Sequence, residues 1–103
     1  KPNFLNDFMV TKEEIIEVLK KVNDPEIMID VYTLGLIYDI KINNDKIDIL
    51  MTFTTIYCPY GPMLAEEVKN SIEKINGVKE ASIEITFDPP WQPSDDLKVT
   101  LGI

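Results

Sequence analysis

A chain of 103 residues, 45% of them apolar, fits one domain with a single ordinary core. Its net charge of −8, with ten lysines and no arginine, argues against nucleic acid, where basic side chains supply most of the affinity, and against an anionic membrane surface. The absence of histidine removes Ser–His and Cys–His catalysis, histidine general bases and histidine-containing zinc sites.

The single cysteine, Cys58, can form no internal disulfide, which favours a reducing compartment; a cytoplasmic location is expected. One cysteine cannot complete a structural zinc site. No apolar run approaches the ~20 residues of a membrane helix. The start lacks the basic-then-apolar layout of a signal peptide, so none is expected.

Residues 1–10 have no periodicity and read as a flexible arm, with the domain expected over 11–103. Thr11-Lys12-Glu13-Glu14 is a capping box that opens a first helix. Ile15, Val18, Leu19 and Val22 lie on one face of that helix, and it must stop before Pro25. From Leu36 to Asn43 the pattern turns to alternation, with Tyr38, Ile40 and Ile42 on one side and Asp39 and Lys41 on the other. Asn43-Asn44-Asp45 supplies a turn, and Ile47, Ile49, Met51 and Phe53 continue as the second strand of a hairpin.

Thr54 to Gly61 is an irregular loop, and Pro62 suits the first turn of a second helix. Leu64, Val68, Ile72 and Ile75 form its apolar face, and Gly77 stops it. Val78 to Phe87 alternates as a third strand, broken by Asp88-Pro89-Pro90-Trp91. The last residues, 92–103, have room for one short helix or strand.

The order is α-β-β-α-β, a single small α/β domain of the two-layer α+β kind. Its helices are expected on one face of a small mixed or antiparallel sheet. Ile15, Leu19, Ile40, Ile49, Leu64, Val68, Ile72, Ile83 and Ile85 are expected in or beside the core. Tyr38, Ile40, Ile49 and Ile85 are hard to hide together in so small a domain, which raises a homodimer through the sheet.

Cys58 is the first candidate for chemistry. A thiol near a helix N-terminus meets oriented amides and the positive end of the macrodipole, which favour the thiolate as ligand or nucleophile. Pro59, Gly61 and Pro62 stiffen its loop. The plain alternative is a buried cysteine serving as a small hydrophobe. Thr54 and Thr55 are placed to donate hydrogen bonds to a thiolate or cluster sulfur; ordinary strand propensity and turn capping explain them equally. Asp24 and Glu26 belong to an acidic loop after the first helix and could join Cys58 in transient iron binding. The alternative is a helix-ending turn in which Asp24 caps backbone amides. Gly35 reads as structural, a position of special backbone angle. Trp91, presented by two prolines, is either a partner-binding anchor, with Pro59 as a second candidate contact, or a lid over the core.

These motifs resemble those of the SufT/PaaD-like family of metal–sulfur cluster assembly proteins. That family is related to the eukaryotic cytosolic iron–sulfur targeting factor and to a domain fused to some Mrp-type P-loop carriers. The matching segments are Asp24-Pro25-Glu26-Ile27, Leu34-Gly35-Leu36-Ile37-Tyr38, Thr54-Thr55 with Cys58-Pro59, Gly77-Val78 and Asp88-Pro89-Pro90-Trp91. They cover about residues 12–103. The resemblance implies a small α/β fold and a role in maturing or delivering clusters to apoproteins. Its partners would be the iron–sulfur assembly machinery and client apoproteins. It makes Cys58 the reactive cysteine, and Asp24 and Glu26 the acidic pair. Thr33 stands where many members carry an acidic residue. The chain also ends at Ile103 without the cysteine-bearing tail associated with PaaD-type members, which disfavours the oxygenase branch.

The expectation is therefore an accessory protein rather than an enzyme, acting as adaptor or transient carrier of an iron–sulfur cluster through Cys58. Two alternatives stand beside it. A thiol enzyme lacks a histidine base and a second cysteine to resolve an intermediate. A docking module would use Trp91 and the sheet and keep Cys58 structural.

Overall fold

The computed structural model describes residues 10–102. The arm expected over 1–10 falls on residues 1–9, which lie outside the described residues, and on Val10, whose side chain is buried in the core. Helix α1 spans Lys12–Leu19 and opens with the expected capping box. Glu14 N–H donates to Thr11 Oγ1 at 3.2 Å, and Thr11 N–H donates to Glu14 Oε1 at 2.9 Å. Ile15 and Leu19, one turn apart, point into the core.

Strands β1 (Ile37–Asn43) and β2 (Lys46–Met51) form the antiparallel hairpin, turning at Asn44 in the left-handed region. Helix α2 (Gly61–Glu73) then carries the chain across to β3 (Glu80–Ile85), which lies parallel to β2. The sheet is mixed, in the order β1-β2-β3. Both outer strands are shorter than the alternation suggests, because the backbone leaves the sheet at Ile37 on one side and after Ile85 on the other. A short helix α3 (Asp95–Leu101), capped by Ser94, completes the α+β domain and buries Leu97.

Strand register decides what the helices cover. Ile49 pairs with Ile40 on one side and Ile83 on the other, and Met51 pairs with Ile37 and Ile85. With Ile47 and Ala81 these form one apolar face beneath Leu64, Val68 and Ile72 of α2. None of the nine expected core side chains is exposed: six are buried, and Ile40, Ile83 and Ile85 are half-buried.

The uncovered sheet face is lined by Asp39, Lys41, Asp48, Leu50, Ser82 and Glu84. The isoleucines that suggested pairing through the sheet therefore pack into or against the core, and the open face is charged. Tyr38 departs from the expected alternation for a local reason. A bulge between Ile37 and Asp39 makes it the extra residue, and its hydroxyl donates to Pro89 O at 2.8 Å.

A second part of the core comes from a segment without regular structure. Val22, Val31, Leu34 and Leu36 are all buried in the connection between α1 and β1. Backbone bonds hold this segment in place: Val31 N–H donates to Val22 O at 2.8 Å, and Thr52 N–H donates to Leu36 O at 2.8 Å. Gly35, at φ +80°, makes the turn into β1.

Candidate functional site

The loop from Thr52 to Tyr60 leaves the end of β2 and delivers the chain to the start of α2. Its first part is anchored inside. Thr52 and Phe53 are buried, and the Phe53 ring lies against Gly61. The loop then rises to the surface, where Ile56 is 62% exposed and Tyr57 82% exposed. Thr55 Oγ1 accepts the Tyr57 N–H at 3.2 Å, so this hydroxyl serves the turn. Thr54 is half-buried beside it, and Pro59 is exposed.

Cys58 sits where this loop returns to the domain. It is a free, half-buried thiol packed against the edge of the core. Its carbonyl accepts the Gly61 N–H at 3.2 Å, which closes a tight turn into α2. Pro62 occupies the first turn of that helix, where its missing N–H costs nothing.

Asp24 is brought to the same place from the other side of the domain. It is 1% exposed, and its Oδ1 accepts the N–H groups of Glu26 at 2.9 Å and Ile27 at 3.0 Å. This is the amide-capping arrangement, in the turn that follows α1. The Tyr60 hydroxyl also reaches this carboxylate, at 3.0 Å from each oxygen. Burial first, then the Asp24 carboxylate and the Cys58 thiol, raise the Tyr60 phenol well above the ordinary tyrosine range and keep it neutral.

The fold thus ties the turn that carries Cys58 to Asp24 through Tyr60, while Glu26 stays on the surface with its backbone in the turn. Among the described residues, no three Cys, Asp or Glu side chains come close enough together to hold a metal ion. Trp91 lies elsewhere, half-buried against the core, with its indole N–H donating to Leu34 O at 2.6 Å. That is the geometry of a lid over the Leu34–Gly35 turn.

Two features escape a reading of the sequence. Tyr60 is 36 positions from Asp24, and no local pattern links them. The exposed Ile56 and Tyr57 left a trace, because apolar residues in a turn-rich loop have no core strand or helix face to join.

Comparison with known proteins places these residues in context. The family model described as "Iron-sulfur cluster assembly protein" matches residues 12–85, which hold Asp24, Cys58 and Tyr60. An Fe-S protein maturation auxiliary factor of Porphyromonas gingivalis is 38% identical over 101 residues, covering 94% of this chain and 96% of that protein. The Fe-S protein maturation auxiliary factor YitW of Bacillus subtilis is 38% identical over 96 residues, covering 89% and 94%. Among solved structures, a conserved hypothetical protein of Thermotoga maritima superposes with a TM-score of 0.82 at 42% identity, covering 93% of this chain and 98% of that one.

Proposed function

We propose that this chain, which belongs to the iron–sulfur cluster assembly protein family, is an accessory factor that helps deliver iron–sulfur clusters to apoproteins through Cys58. The observation that carries the reading is a single half-buried thiol, set in a constrained turn at the start of α2 two residues before a tyrosine that donates to a buried carboxylate. The names of the similar maturation factors support the same role.

The cluster is cargo in this account. Clusters usually take about four thiolates, and this chain has one cysteine. The remaining thiolates must come from the donor, the recipient, a second copy or small thiols. A lone thiolate holds a cluster weakly, which suits a factor whose cargo must leave. Asp24 is occupied by two amides and a phenol, so its role is to shape the turn rather than to bind iron. Glu26 is exposed and free to join a shared ligand set. The exposed Ile56 and Tyr57 beside Cys58 offer apolar contact to a client.

The protein acts in the cytoplasm and performs no small-molecule reaction of its own. No helix among the described residues is long and apolar enough to cross a membrane. Two copies would bring two thiols to one cluster, and such a pairing would use a surface other than the charged sheet face.

The test is anaerobic cluster transfer from a loaded scaffold protein to an apo-client, with the wild type and Cys58→Ser compared. Transfer should accelerate with the wild type and not with the variant. Equal acceleration by both would overturn the cysteine-based reading and leave a docking module in its place.

A further inference from the structure

We infer that Tyr60 is the positioning residue of Cys58: its hydroxyl, held by the buried Asp24 carboxylate, ties the start of α2 to the turn after α1 and so fixes the turn that carries the thiol. The inference rests on the reading of Cys58 as the working residue and says how that residue is held.

The anchor is rigid. Asp24 is almost fully enclosed, and two backbone amides fix its orientation. Tyr60 is the N-cap residue of α2, yet its side chain makes no cap; it reaches across to Asp24 instead. Both oxygens of the carboxylate lie at 3.0 Å from the phenol oxygen, so the single phenolic proton always has an acceptor. Cys58 stands two residues earlier in the same tight turn. Backbone and side chain therefore close the loop at two points, Cys58 O to Gly61 N–H and Tyr60 to Asp24.

Removing the hydroxyl alone leaves the aromatic ring and its packing in place. The turn then opens more often, by about fivefold for the loss of one typical hydrogen bond. A half-buried thiol reacts from the opened loop, so its labelling rate rises in proportion.

The experiment is iodoacetamide labelling of Cys58 in the full chain at neutral pH, followed by intact mass. Circular dichroism and thermal melting accompany each variant. Tyr60→Phe should label about fivefold faster than the wild type. Asp24→Asn keeps an acceptor for the hydroxyl without its charge, so its rate should fall between the two. Glu73→Gln, remote in the chain from this turn, should label at the wild-type rate. Wild-type labelling of folded Tyr60→Phe overturns the inference. If Tyr60→Phe does not fold, Asp24→Asn decides, and a wild-type rate there overturns it equally. Labelling involves no cluster. Faster labelling of Tyr60→Phe alongside normal transfer by Cys58→Ser would keep the positioning role and discard the proposed function.

Discussion

Gly61 lies so close to the Phe53 ring that a Cβ at that position would stand 2.6 Å from it. This contact joins the last buried residue of the β2 exit to the first residue of α2, and the whole Cys58 loop is strung between them. The glycine is needed for approach.

Gly61→Ala should therefore destabilise the domain by about 1–3 kcal/mol, the usual range for overpacking a filled site. Urea denaturation followed by circular dichroism measures it. A midpoint equal to the wild type would mean that the Phe53 ring yields without cost.

Trp91→Phe tests the lid. The indole N–H that Leu34 O accepts is lost, and the carbonyl loses its partner in a half-buried setting. The expected cost is about 1–2 kcal/mol in the same denaturation experiment. Unchanged stability together with weakened capture of a client would assign Trp91 to partner binding instead.

Acid should act through Glu73. Its carboxylate accepts from Lys69 Nζ at 2.8 Å and from Ala81 N–H at 3.0 Å, joining α2 to β3. The Lys69 hydrogen bond first, then the Ala81 amide, hold this carboxyl below its ordinary range. A carboxyl with a lowered folded-state pKa contributes stability above its unfolded pKa of about 4.3 and loses it as pH falls through the folded value. The difference in melting temperature between wild type and Glu73→Gln should thus be constant near neutral pH and close below about pH 4. A difference that persists at pH 2 would place the effect in packing rather than charge.

The regular elements were legible because each follows from its neighbours in sequence. Thr11 and Glu14 announce α1, and the alternation from Ile47 to Met51 marks β2 with its buried side. Where the chain leaves regular structure the signal fades. Val31 and Leu34 are fully enclosed, but they sit in turns, where no period distinguishes core from surface. The parallel pairing of β2 with β3 depends on where α2 returns the chain, and Ile83 would alternate in the same way beside either edge.

The site divides along the same line. Cys58 could be named because it is the sole thiol and precedes a proline-marked helix. Its link to Asp24 could not, because Tyr60 and Asp24 meet only after α2 packs beside α1. The two readings of Asp24 were open in the sequence, and burial with two accepted amides gives the capping one its geometry.

The account stands on Cys58, and the most direct measurement is in the source cell with Cys58→Ala as the only copy and no paralogue present. The thiol is half-buried at the edge of the core, so removing its sulfur leaves little cavity and the variant should fold and accumulate. The activities of cluster-dependent enzymes should fall, while the amounts of those proteins fall much less. Normal activities in that strain would contradict the claim that this cysteine delivers clusters.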